Sequence, residues 1–512
     1  MANYASIFND VLGPIMRGPS SSHGAGAFRI GQIIRQLLNN NVQEVICKFD
    51  PNGSLCDNHA LQGTDMGFAA GILGMQLTDE GVEKAMDIAL NQGVSIIYEN
   101  TSYGGDHPNQ YRCHIKNDGD SHIVDAISVG GGMILIRQYD GFNVNIVGDY
   151  YELLIKLADD NVQYIKEIIN DYDAFEVIKN GDKLLINIKS NQPISFDRIQ
   201  ELSNVIEVKY LLPILPTLSS TKTSLPFTCG EEMIDYSKLH PNMDMADLAI
   251  LYETKRGNCS EYEVYKKAEE LLDIMINGVN IGLSGTNYDD RILHFQCGLI
   301  DSSLKDNKLV PSEVINNSIK CITALMECKS SMNVIVAAPT AGSCGCLAGT
   351  IVSLGMTYGF SKKQLVRALL ASGLEGVFFA NLATFSAEIA GCQVECGAGS
   401  GMAASAISYL FNGTPIQCVN ASSLALQNVT GLCCDPVADR VEVPCLGKNI
   451  MASVNALSSV NMILAGYDYV IPLDETIKAM LDIGLKMPQE IKCTLGGLGK
   501  TKTSQELLKK LS

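Results

Sequence analysis

Two long stretches of this 512-residue chain, Ser330 to Ser361 and Cys396 to Cys434, carry no charged residue. Both are broken by Gly, Pro, Asn, Gln, Ser and Thr, so neither offers about 20 consecutive apolar residues of the kind that span a bilayer. They are expected to be buried helices of an all-α core, and no membrane partner is expected. A chain this long is too large for one ordinary core and predicts several domains. Its hydrophobic share of 46% and charged share of 18% fit packed globular domains rather than disorder. The net charge is −18. Without a basic run, nucleic acid is not an expected partner, and an acidic surface of this sort serves solubility.

The first ten residues lack a basic segment followed by an apolar one, so no signal peptide is expected. Seventeen cysteines then point to reduced thiols in a cytoplasm. Some would serve metal binding or catalysis, and the rest would be small buried hydrophobes.

Read in order, the chain first presents Gly18-Pro19-Ser20-Ser21-Ser22-His23-Gly24, followed by apolar positions at helical spacing from Ala27 to Leu38. Backbone N–H groups and serine hydroxyls opening a helix make an anion site, for a phosphate or a substrate carboxylate; the plainer alternative is a serine N-cap. Strand and turn signals over residues 1–146 predict an α/β or α+β domain, with Met66 to Gly74 a Gly/Ala-rich helix able to pack closely. Residues 147–213 read βαββαβ, with a helix from Phe196 to Ser203, the ferredoxin-like order of small regulatory modules. Residues 214–226, rich in Ser, Thr and Pro, read as a linker. From 227 to 512 the chain reads as helical almost throughout.

Ten cysteines lie between Cys321 and Cys445, so residue type alone does not select ligands. Cys392, Cys434 and Cys445 stand beside Gly, Asp and Pro, residues that turn the backbone sharply. No CxxC pair is present, which argues against a zinc ribbon or a ferredoxin run. Three spaced thiols suit an iron–sulfur cluster with one iron left open as a Lewis acid; a cysteine-rich helical core is the alternative. All seven histidines, from His23 to His294, precede Cys321, so a histidine base acting at such a cluster would come from an earlier domain. His23 and His107, in loops bounded by Gly and Pro, are the better candidates.

These motifs, with Ala338-Pro339-Thr340-Ala341-Gly342-Ser343-Cys344-Gly345, Gly391-Cys392-Gln393-Val394-Glu395, Cys434-Asp435-Pro436-Val437 and Val443-Pro444-Cys445, resemble those of the iron–sulfur-dependent L-serine dehydratases. The resemblance implies a β-type domain, an ACT-like domain and an α-type all-α domain in one chain. It implies a 4Fe-4S cluster on Cys392, Cys434 and Cys445, and no pyridoxal phosphate. It implies β-elimination of water from L-serine to give pyruvate and ammonia, in a cytoplasmic homodimer. Ser20, Ser21 and Ser22 would cradle the substrate carboxylate. Thr64, Asp65, His107 and Asn109 would line one side, and Thr340, Lys448 and Asn449 the other.

The chain departs from the family pattern in several places. Gly24 follows Ser-Ser-His where threonine is usual, Gln62 replaces a histidine before Gly63-Thr64-Asp65, and Gln427-Asn428-Val429 replaces Glu-His-Asn. Glutamine is no base near neutral pH, which leaves His59 or His107 for that role beside His23. The closing Lys510-Leu511-Ser512 lacks the terminal cysteine that caps the open iron in some members. The ACT-like segment lacks the usual glycine turn after its first strand, so no effector is expected. A lyase for another β-substituted amino or hydroxy acid, and a catalytically silent iron–sulfur sensor, are the competing expectations.

Overall fold

The computed structural model describes residues 4–60, 62–158, 162–196, 199, 204–289, 291–494 and 496–511. The chain packs as two compact units. One comprises residues 22–224 with 256–258, and the other residues 4–21, 225–255 and 259–512. The first strand, β1 (Ile15–Met16), belongs to the second unit.

The first unit contains α1 (Gly26–Leu37), β2 (Glu44–Phe49), α2 (Leu55–Asn58), α3 (Thr64–Leu73), α4 (Ala85–Asn91), β3 (Ser95–Asn100), β4 (Gln110–Lys116), β5 (Ser121–Gly130), β6 (Met133–Tyr139) and β7 (Phe142–Ile146). The strands form one sheet in the order β3-β2-β4-β5-β6-β7, parallel only between β2 and β3. In β2 the period-two alternation buries Val45, Cys47 and Phe49, as a sheet with one covered face requires. Ile30, Ile33, Ile34 and Leu37 form the covering stripe of α1 at helical spacing. The helices α1 and α3 cross closely because glycines line the contact. A Cβ on Gly71 would lie 2.1 Å from the Phe28 carbonyl oxygen, and one on Gly31 2.6 Å from that of Phe68.

A second sheet follows from β8 (Tyr151–Leu157), α5 (Val162–Ile168), β9 (Ala174–Asn180), β10 (Lys183–Ser190) and β11 (Val205–Leu211). Its order is β11-β8-β10-β9, antiparallel throughout. The helix expected at Phe196 to Ser203 falls largely outside the described residues. Leu153, Ile155, Leu157, Ile186 and Ile188 form a core on one face of this sheet. Leu154, Leu185 and Leu211 on the other face join the core of the six-stranded sheet, so packing runs on across residue 146. The Ser/Thr-rich segment after β11 is tied down: Thr221 N–H donates to Asp173 (2.9 Å), and Arg256 to the buried Ser219 hydroxyl (2.8 Å).

The second unit is mostly helical: α6 (Gly230–Leu239), α7 (Met245–Gly257), α8 (Glu261–Ser284), α9 (Leu299–Lys305), α10 (Glu313–Ser330), α11 (Cys344–Tyr358), α12 (Lys362–Leu382), α13 (Ala387–Ala390), α14 (Cys396–Leu410), α15 (Pro415–Gln427), α16 (Glu442–Leu464), α17 (Leu473–Lys486) and α18 (Lys502–Leu511). It departs from an all-α description. Residues Ile335–Val336 form β12 and pair antiparallel with β1, Ile15 opposite Val336. A two-residue ribbon is too short to leave an alternation signal. Capping boxes open α12 (Ser361 with Gln364) and α15 (Thr414 with Gln417), the latter with Pro415 at its first position, as helix starts favour. The uncharged residues from 396 to 410 form α14, nearly all buried. The helix α12 is long and apolar enough to cross a membrane by length and composition, and most of it is buried in this unit.

Candidate active site

The three turn-flanked cysteines are buried in the helical unit, and each is set by different local chemistry. Gly391 has φ +76°, which favours glycine. A Cβ there would also meet the Leu432 carbonyl oxygen at 3.0 Å. The turn it makes delivers Cys392, and buried Gln393 locks that turn. Its amide donates to the Ala390 and Met480 carbonyls (both 2.9 Å) and accepts from Gly431 N–H (2.9 Å). Gln393 N–H also donates to the Leu432 carbonyl, 2.9 Å. The Cys392 turn is thereby joined to the segment leading into Cys434. The Cys434 N–H donates to the Ile491 carbonyl, and its own carbonyl accepts from Cys493 N–H (both 2.9 Å). Cys445 lies in the first turn of α16.

One turn later, Asn449 ties α16 to the Thr340–Cys346 segment. Its amide donates to the Gly342 and Cys445 carbonyls (both 2.8 Å) and accepts from Cys346 N–H (2.7 Å). Lys448 donates to the Asp435 carboxylate (2.7 Å) and the Cys433 carbonyl (2.8 Å). Burial opposes its charge, but Cys392 and Asp435 more than offset this and hold the ammonium above the usual lysine range. The Cys392 thiol, 3.5 Å from Cys396, is held below the ordinary thiol range. A hydrogen bond from Cys396 is the main cause and Lys448 a lesser one. Cys445 is pushed up to about 12 by burial.

Several of these groups escape a sequence reading. Cys396 and Cys493 are buried beside Cys392 and Cys434. Cys396 falls inside the uncharged run, and Cys493 is a lone cysteine among C-terminal residues. The Glu395 carboxyl is raised well above the usual range by burial, then by Cys392 and Glu388, and it hydrogen-bonds to Thr340. Its one sequence signal is its place in the Gly391–Glu395 motif.

The serine loop divides between the units. The β1–β12 ribbon carries Ser20 and Ser21 into the helical unit, where the Ala341 N–H donates to the Ser21 hydroxyl (3.2 Å). The helical turn Ser21–Ala25 runs directly into α1, which has no side-chain cap at Ala25. Ser22 and His23, both buried, count with the first unit, where the Ser128 hydroxyl donates to the Ser22 carbonyl (2.8 Å).

Within the first unit, His59 Nδ1 lies 2.6 Å from the Asp65 carboxylate. The ring packs against Tyr98 (5.0 Å between centroids) and Phe49 (5.4 Å). A proton on Nδ1 leaves Nε2 free to accept one. His107 differs: its Nδ1 accepts from Asn109 N–H (3.1 Å), so its neutral ring carries the proton on Nε2 and acts as a donor. Thr64, at the start of α3, is buried, as are Gln62 and Asn109. The side-chain amide nitrogens of Gln62 and Asn109 have no hydrogen-bond acceptor, and buried donors without one await an acceptor from elsewhere.

Among the described residues, one His/Cys/Asp/Glu trio has ligand atoms within 4.8 Å of one another: Asp120, His122 and Glu207. Lys156 and Lys209 already pair with Glu207, and Lys209 with Asp120, so ammonium groups fill the place of a cation. Cys392, Cys434 and Cys445 are not a group of that kind; all three are buried thiols, the donor type that holds iron–sulfur clusters.

The family described as serine dehydratase alpha chain matches residues 229–498. The chain is 34% identical over 282 residues to the probable L-serine dehydratase alpha chain of Bacillus subtilis (strain 168), covering 55% of this chain and 94% of the relative. It is 32% identical over 269 residues to the L-serine dehydratase alpha chain of Peptoniphilus asaccharolyticus, covering 51% and 90%. It is also 31% identical over 217 residues to the probable L-serine dehydratase beta chain of Bacillus subtilis (strain 168), covering 40% and 97%. With relatives of both the alpha and the beta chain in one polypeptide, the chain belongs to the iron–sulfur L-serine dehydratase family in its fused, single-chain form.

Proposed function

We propose that the chain is an L-serine ammonia-lyase whose Cys392, Cys434 and Cys445 hold a 4Fe-4S cluster. The observation that carries this is that those three cysteines are all buried in the unit that matches the alpha chain, with the Lys448 pKa raised by Cys392 and Asn449 bonded to the Cys445 carbonyl. When bound, the cluster supplies an iron not ligated by protein, a Lewis acid for the departing 3-hydroxyl. The rest is the work of side chains. Ser20, Ser21 and Thr340, all of the helical unit, bind the substrate carboxylate. Asn449, its amide engaged by Gly342, Cys445 and Cys346, holds the Thr340 segment against α16. Lys448 stabilises thiolate at Cys392.

The Cα proton goes to a histidine. His59 has the hydrogen-bond pattern of a base, with Asp65 orienting Nδ1 and Nε2 open. His107 has that of a donor. His23 is the third candidate, and Thr64 and Asn109 position the substrate. Loss of the Cα proton and of hydroxide gives the enamine of pyruvate. Tautomerisation and hydrolysis then release pyruvate and ammonia.

The four-stranded sheet, in strand order 4-1-3-2 by sequence, supports reading residues 147–213 as an ACT-like module. Residues 1–146 are the β-type domain, 214–226 a tied linker and 227–512 the α-type domain. A cytoplasmic homodimer completes the proposal. Anaerobic iron–sulfide reconstitution tests it. A brown protein forming pyruvate from L-serine is expected, with colour and turnover both lost in Cys392→Ala, Cys434→Ala and Cys445→Ala. A colourless wild-type protein would overturn the cluster assignment. Pyruvate formation intact in His59→Ala would remove His59 from the base role.

A further inference from the structure

Lys329, in the last turn of α10, is 1% exposed. Its ammonium nitrogen is buried without a hydrogen-bond partner, and among the described residues no carboxylate lies within ion-pair distance of it. An unpaired buried ammonium is among the costliest groups a core can hold.

The surroundings point to a partner. Lys329 acts electrostatically on Cys445, Cys344 and the Glu395 carboxyl. Both Glu395 carboxyl oxygens lie 3.4 Å from where a Cβ on Gly342 would stand, and the Thr340 hydroxyl 3.5 Å from it. The adjoining Ala341 N–H is hydrogen-bonded to Ser21. The ammonium therefore acts on Glu395, and Glu395 lies beside Gly342 and the Thr340 hydroxyl, in the segment whose Ala341 N–H is bonded to Ser21.

We propose that Lys329 binds the α-carboxylate of the amino-acid substrate, an inference that rests on the dehydratase reading above. The serine hydroxyls of the Ser20–Ser21 loop offer only neutral donors, and Lys329 adds the charge that makes such hydrogen bonds strong. The last charged residue before the uncharged Ser330–Ser361 run thus becomes a substrate-binding group.

The test compares L-alanine, which has the carboxylate and no leaving group, with L-alaninamide, which lacks the carboxylate. Binding to anaerobically loaded protein is measured by calorimetry. In Lys329→Met, L-alanine affinity is expected to fall about 10–100-fold and L-alaninamide affinity to hold within about 2-fold, the scatter of a neutral contact. The iron-to-protein ratio should stay unchanged. Lys329→Arg, which keeps the charge, should recover part of the loss, and Lys329→Gln serves if Lys329→Met does not fold. Wild-type L-alanine affinity in the variant, no preference for L-alanine over L-alaninamide in the wild type, or iron loss in the variant each overturns the assignment. A loaded wild-type protein that forms no pyruvate from L-serine would sink the dehydratase reading instead. The calorimetric contrast would then still decide the role of Lys329.

Discussion

At the scale of residues, the thiol trio is shaped by its uncharged and charged neighbours alike. With the proton on Cys396, the Cys392 sulfur accepts a hydrogen bond and sits near Lys448, and both favour thiolate. In cluster-free protein, Cys396→Ala is expected to move the Cys392 titration to higher pH, read from thiolate ultraviolet absorbance. An unchanged titration would show that the hydrogen bond is not the cause. The Lys448–Asp435 pair is largely buried, with side-chain exposures of 15% and 8%. Removing one charge strands the other. Asp435→Asn is accordingly expected to lower stability by about 3 kcal/mol in denaturant unfolding. At this scale, Cys392, Cys434 and Cys445 stood out in the sequence by their turn-forming neighbours, and the family resemblance selected them among ten cysteines. Lys329 and Glu395 did not stand out, because only three-dimensional packing strips them of water and of partners.

At the scale of elements, close crossings depend on glycine. A Cβ on Gly282 of α8 would lie 1.9 Å from the Ala324 carbonyl oxygen of α10, a clash with backbone that no rotamer can relieve. Gly282→Ala and Gly71→Ala are each expected to cost about 1–3 kcal/mol or more, measured by chemical denaturation; a neutral effect would mean that the helices part freely. Glu375, in the middle of α12, is fully buried and pushed up to about 8 by burial, against an ordinary 4.5. The folded protein keeps a proton that the unfolded chain releases. Its contribution is complete below the unfolded value and is lost as pH rises toward the folded one. Glu375→Gln should therefore gain on the wild type by about 2–4 kcal/mol between about pH 5 and about pH 8. A pH-independent difference in unfolding free energy would refute the buried-acid account.

For the molecule as a whole, a cluster held by the folded helical unit and not by the unfolded chain must stabilise the fold by mass action. Stripping iron with a chelator is expected to lower the unfolding temperature, and Cys434→Ala should match the stripped protein with or without iron. The sequence by itself determined many of the elements, though not the β1–β12 ribbon. Period-two alternation in β2, the stripe of α1 and the uncharged run that became α14 are local patterns, and local patterns follow from which faces must leave water. It also determined the cysteine motifs, since turns depend on nearest neighbours. Only the tertiary structure decided that Ser20 and Ser21 pack with the helical unit through the β1–β12 ribbon, that His59 is oriented by Asp65 while His107 presents a donor, and that Lys329 stands unpaired. Each of those depends on contacts between distant residues, and hydrogen-bond partnership and desolvation are properties of the packed site rather than of any stretch of chain.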